Sequence, residues 1–109
     1  MDAQGRLTIV EIKVAAGDLR GDRKWPDYLA RCDRFFWAVP AALGELVMAA
    51  DFGPDETGVL VADRFDAALL REAPWRAMAP ARRRAETLRF ARTAAARLAR
   101  GDDPELGFM

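Results

Sequence analysis

The chain has 109 residues, 51% of them hydrophobic and 31% charged, with seventeen Lys and Arg balanced by seventeen Asp and Glu. That length suffices for one domain with a core and not for two, and a net charge of zero excludes a generally basic nucleic-acid binder. Histidine is absent and Cys32 is the single cysteine, which excludes a histidine base, the common zinc sites and an internal disulfide.

"DAQG" at 2–5 has the Asp and Gly spacing of a type I turn. A strand is expected from about Arg6 to Val14, where β-branched and aliphatic residues dominate. A turn of this kind joins antiparallel strands, yet only Met1 precedes it, so the chain reads as beginning inside a hairpin. Gly17 ends the strand, and Asp18 or Asp22 caps a helix to about Arg31. Pro26 belongs in a first turn, which favours Asp22 as the cap of the main helix. Trp25, Tyr28, Leu29 and Cys32 give that helix one apolar face, with Cys32 read as a small buried residue. "FFWAV" at 35–39 is apolar on both faces and reads as a central strand. A short helical turn is expected within 41–50, a loop over "DFGPDETG", a strand at 59–62, a turn at "DRFD" and a strand near 67–71. The last element is a helix that starts at Pro80 and stops at Gly101. Ala81, Ala85, Leu88, Ala91, Ala95 and Leu98 draw a narrow apolar stripe along it. Phe108 and Met109 make a short apolar tail. The order is β-α-β-(α)-β-β-α, an α/β domain with a small mixed sheet flanked by helices.

One feature of the first strand carries chemistry. Glu11 and Lys13 are two apart and point to the same face, which they share with Leu7 and Ile9. Thr8, Val10, Ile12 and Val14 occupy the other face, which reads as the core face and leaves the acid and base at a cleft or rim. A carboxylate there can hold a hard divalent ion, since Mg²⁺ typically uses one or two carboxylates plus waters. A lysine beside it can orient or deprotonate a metal-bound water, or neutralise charge on a phosphate. The plain alternative is a solvated ion pair on a strand surface, and the spacing alone does not separate the two.

The longer strings "IVEIKVAAGDLRGDRKWPDYLARCDRFFWAVP", "GVLVADRFDAALLREAP" and "APARRRAETLRFAR" resemble the bacterial MmcB-like DNA repair proteins. That family belongs to the PD-(D/E)XK nuclease superfamily, in which E-x-K on a strand is the core of the active site. The resemblance covers nearly the whole chain. It implies a restriction-endonuclease-like core and Mg²⁺- or Mn²⁺-dependent phosphodiester hydrolysis in the complete form. Glu11 becomes a metal-binding carboxylate, Lys13 the catalytic lysine, and the Ile12 carbonyl a further ligand. Asp22, Lys24, Trp25 and Tyr28 match the helix after the active-site strand, with Lys24 and Tyr28 placed to reach a phosphate and Asp22 supporting. The superfamily also places an aspartate on the preceding strand and an acid on an N-terminal helix. Here both would precede Met1, so the chain reads as a single nuclease-like domain, 1–109, lacking its first helix and strand. Asp2 sits too far along the strand to substitute, and Asp18, Asp22 and Asp33 remain open as replacements. With one carboxylate left, weak metal binding and negligible turnover are expected.

From Pro80 to Arg100 there are seven arginines against Glu86 alone. Arg82, Arg83 and Arg84 lie at the helix N-terminus, where the macrodipole disfavours cations. They are candidates for DNA phosphates, or else for a solvated face paired with acids such as Asp63 or Glu72. Trp25, Trp37 and Trp75 read as packing anchors. The alternative to a nuclease is an inert module that binds DNA or a repair protein, or that pairs with a second copy through an exposed edge of strand 6–14. No apolar run approaches the roughly 20 residues needed to span a bilayer, and no signal peptide is read, so a cytoplasmic protein off the membrane is expected.

Overall fold

A computed structural model describes residues 1–101; the Phe108–Met109 tail lies outside the described residues. The chain forms two compact units, Met1–Met78 and the segment from Ala79 onward. The first holds a four-stranded sheet in the order β1 (Thr8–Ile12), β2 (Arg34–Val39), β3 (Gly58–Ala62), β4 (Ala67–Arg71). β1, β2 and β3 run parallel and β4 is antiparallel to β3, so the sheet is mixed, as expected. β2 lies inside, and all five residues of its "FFWAV" run are buried, as an apolar pattern on both faces requires.

The connection from β1 to β2 carries two short helices, α1 (Ala16–Gly21) and α2 (Trp25–Leu29), rather than one. Pro26 lies in the first turn of α2, where its missing amide costs nothing. Asp22 instead ends α1, and Lys24 is the residue that caps α2; Asp22 accepts the amides of Lys24 and Trp25 through Oδ1, at 2.9 and 3.0 Å, which fixes the turn between the two helices. α1 and α2 set Leu19, Trp25, Tyr28 and Leu29 in one core with Leu7, Ile9, Phe35 and Trp37. Edge-to-face contacts of Trp37 with Trp25, Phe35 and Phe52 tighten it, and Trp37 donates its indole N–H to the Phe52 carbonyl at 3.1 Å.

This arrangement reverses the expected faces of β1. Leu7 and Ile9 face the core, while Val10, Ile12 and Val14 are 45%, 71% and 73% exposed. A strand buries the face on which its crossover helices land, and the number of β-branched residues on either face does not decide that. The open face continues across Ala38 and Leu60 as a broad groove.

After β2, a 3₁₀ turn (Ala41–Leu43) runs into α3 (Gly44–Val47), and a second 3₁₀ turn covers Ala50–Phe52. Gly53 then takes φ +62 against the Trp25 ring, where a side chain would collide. Thr57, fully buried, holds this loop to β4: the Arg71 guanidinium donates to its carbonyl at 2.9 Å and to Oγ1 at 3.0 Å.

The second unit contains α4 (Pro80–Arg100), with Pro80 in its first turn and Gly101 capping it at φ +67. Both ends are those the sequence marks. On the expected apolar stripe, Leu88 and Leu98 stay exposed. Among the described residues no helix is long and apolar enough to cross a membrane.

Candidate functional site

The parallel register sets Glu11 beside Trp37 and Ile12 beside Ala38, at the carboxyl end of β1. Open α/β sheets characteristically place ligand crevices at that end of their parallel strands. The Lys13 amide extends the pairing by one bond, to the Ala38 carbonyl at 3.0 Å. Its side chain then lies between two acids, with Nζ 3.3 Å from Glu11 Oε1 and 3.1 Å from Asp22 Oδ2. The Asp22 side chain is only 6% exposed. Together these side chains line a cleft of about 650 Å³, shared with Asp18, Lys24 and Tyr28.

The electrostatics follow from the geometry. Burial acts to lower the Lys13 pKa, but the hydrogen bonds and charges of Asp22 and Glu11 outweigh it and hold the ammonium above its ordinary value. Burial likewise acts to raise the Asp22 carboxyl, and the amides of Lys24 and Trp25 with the Lys13 charge overcome it, leaving the acid below its ordinary range. Lys13 is thus a persistent cation, suited to neutralising negative charge rather than to taking a proton near pH 7.

Of the three aspartates left open by the sequence, Asp22 is the one joined to Lys13. Asp18 lines the same cleft. Asp33 is buried at the opposite end of β1, where its Oδ2 accepts the Leu7 amide at 2.7 Å. That is four residues, roughly 13 Å, from Glu11 along the strand. Asp2 is engaged in its own turn by Gln4 and Arg6. Among the described residues no three Cys, His, Asp or Glu side chains converge as a metal cluster.

Lys24 is exposed at the start of α2 and lines the cleft, while Tyr28 does so with its ring stacked on Phe35, centroids 6.3 Å apart. Trp25 is a core residue. Arg82, Arg83 and Arg84 belong to α4, where Arg82 and Arg89 both approach Glu86, at 3.6 and 3.8 Å. Within the first unit, Glu72 pairs with Arg34 at 3.5 Å, and Asp63 caps the turn at Phe65 and Asp66. Trp75 corrects the expectation of a packing anchor. It is half exposed, with the guanidinium groups of Arg6 and Arg34 over its ring at 4.3 and 4.0 Å. Its stretch, "APWRAM", contains no period that would announce this. Cys32 is buried as expected, and burial pushes its thiol up to about 11, which leaves it unreactive.

Fold and site thus define a small mixed-sheet α/β protein with a carboxylate–ammonium–carboxylate cluster at the carboxyl end of its first strand. The model for DNA repair protein MmcB-like matches residues 1–105, and the chain belongs to that family. A solved structure of a protein of unknown function from Silicibacter pomeroyi is similar at 39% identity and a TM-score of 0.79, over 96% of this chain and 68% of that one. No curated protein matches the sequence. Family membership points to a role in DNA repair.

Proposed function

We propose that the chain serves DNA repair through a PD-(D/E)XK nuclease-like site on a restriction-endonuclease-like core, with Glu11 and Lys13 as its catalytic pair and Mg²⁺ or Mn²⁺ as its cation. The observation that carries this reading is the convergence of Glu11 Oε1 and Asp22 Oδ2 on the single ammonium of Lys13. The ammonium marks a place where the fold stabilises positive charge. Two carboxylates with water, and the Ile12 carbonyl as a further donor, suit a hard and weakly held divalent ion. Such an ion polarises a phosphate oxygen and acidifies water. The protein's own part is to hold Glu11 on a rigid strand, to set the Lys13 charge against the scissile phosphate, and to offer Lys24 and Tyr28 at the rim. Arg82, Arg83 and Arg84 add phosphate contacts. Turnover by this chain is expected to be very low, because among the described residues two carboxylates, Glu11 and Asp22, meet at Lys13.

A second reading is favoured by the same ion pairs. Lys13 already neutralises charge on both acids, and an inert DNA-binding or repair-partner module would look the same. Thermal melting with Mg²⁺ and Mn²⁺ separates the two. The first reading expects a rise in Tm that Glu11→Ala abolishes and Asp22→Asn reduces. No shift in the unaltered protein, with DNA binding retained, selects the inert module. Strong cleavage that survives Glu11→Ala contradicts both.

A further inference from the structure

Lys13 aside, the cations of the first unit divide into two sets. Arg6, Arg34 and Arg76 pair with Asp2, Glu72 and Glu56. Arg71 is bonded to Thr57, and Arg64 lies over the Phe65 ring. Arg20, Arg23, Lys24 and Arg31 make no ion pair among the described residues. All four lie on the connection from β1 to β2. Two of them, Arg23 and Lys24, are exposed and line the cleft that holds Glu11, Lys13 and Asp22. The acids of that cleft leave these two charges standing. Glu11 and Asp22 converge on Lys13, and Asp18 makes no ion pair among the described residues.

The turn that carries Arg23 and Lys24 is fixed to Lys13 through one carboxylate. Asp22 Oδ1 accepts the Lys24 and Trp25 amides at 2.9 and 3.0 Å, and Oδ2 meets Lys13 Nζ at 3.1 Å. Trp25, the next residue, is packed in the core against Phe35 and Trp37. The backbone that carries the two cations is therefore held at a set distance from the Lys13 ammonium. We propose that Arg23 and Lys24 together grip a phosphate next to the one that Lys13 neutralises, so that the substrate is a polynucleotide strand and not a single nucleotide. This rests on the reading of the cleft as a nuclease-like site. A nucleoside monophosphate offers one phosphate and leaves the second pair of cations empty, whereas a strand fills both places at once. Arg23 brings a planar fork that matches two phosphate oxygens, and Lys24 brings a compact point charge beside it.

Affinity for a labelled DNA duplex, measured against salt, tests this with Arg23→Ala and Lys24→Ala combined. Arg20→Ala combined with Arg31→Ala is the control, because it removes the same charge from the same connection but outside the cleft. The first variant is expected to keep its Tm, since both side chains are exposed, and to lose about 0.9 of log–log slope, the value for one phosphate no longer neutralised. Arg23→Gln with Lys24→Gln, which keeps the side-chain length, is expected to lose the same. The control is expected to keep the slope of the unaltered chain. Binding with an unchanged slope in the Arg23 and Lys24 variants overturns the proposal and leaves the nuclease-like reading in place. An equal loss in the control also overturns it, because a diffuse field and not a fixed grip would then hold the strand. No binding of duplex by the unaltered chain overturns the reading of the cleft and the grip with it.

Discussion

Asp22 uses both of its oxygens: Oδ1 receives the Lys24 and Trp25 amides, and Oδ2 receives the Lys13 ammonium. Its carboxyl is held below its ordinary 3.8 and Lys13 above its ordinary 10.5. The Asp22 contribution to stability is therefore present above pH 3.8 and lost as pH falls through the lowered folded value. The Lys13 contribution is complete below pH 10.5 and lost as pH rises through the raised one. Asp22→Asn keeps an acceptor for the two amides but removes the charge, so urea midpoints should depend less on pH on both limbs. Asp22→Ala also loses the two hydrogen bonds that hold the turn into α2 and is expected to cost a further ~1–2 kcal/mol at neutral pH. Midpoints that fall in parallel with those of the unaltered protein would show that the pair does not couple to folding. The spacing of Glu11 and Lys13 is legible in the sequence because side-chain direction alternates along a strand. The choice of Asp22 over Asp18 and Asp33 is not, because it depends on where the chain turns between α1 and α2.

At the scale of elements, nearly every strand and helix lies where composition and punctuation place it, including both ends of α4. What fails is the choice of face on β1, and for the same reason the depth at which Glu11 and Lys13 lie. They share the helix-covered face with Leu7 and Ile9, in a cleft lined also by Gly17, Asp18 and Tyr28 of α1 and α2. α4 carries the other functional question. Arg82 already has an acid within its own helix, so a DNA role rests on what the cluster does beyond that pair. Replacing Arg82, Arg83 and Arg84 with alanine should weaken DNA binding and flatten its salt dependence, by about 0.9 in log–log slope for each phosphate that is no longer neutralised. An unchanged slope would remove all three from the interface and leave them as a solvated helix face.

At the scale of the molecule, all the buried residues of the main apolar core lie between Leu7 and Met78. A chain ending at Met78 is expected to unfold cooperatively and to keep the near-UV signal of Trp25 and Trp37. A peptide of 79–109 should be only partly helical, since an isolated helix of this length is marginal in water. Loss of cooperativity in the shorter chain would show that the first unit does not hold its core alone. The sequence by itself determined the α/β class, the order of elements, the central place of β2 and the pairing of acid with base on β1, because these depend on local periodicity and turn chemistry. Only the tertiary structure decided which face of β1 is buried, which aspartate meets Lys13, and that two arginines lie over the Trp75 ring. Each of these depends on where distant segments pack, which no local pattern records.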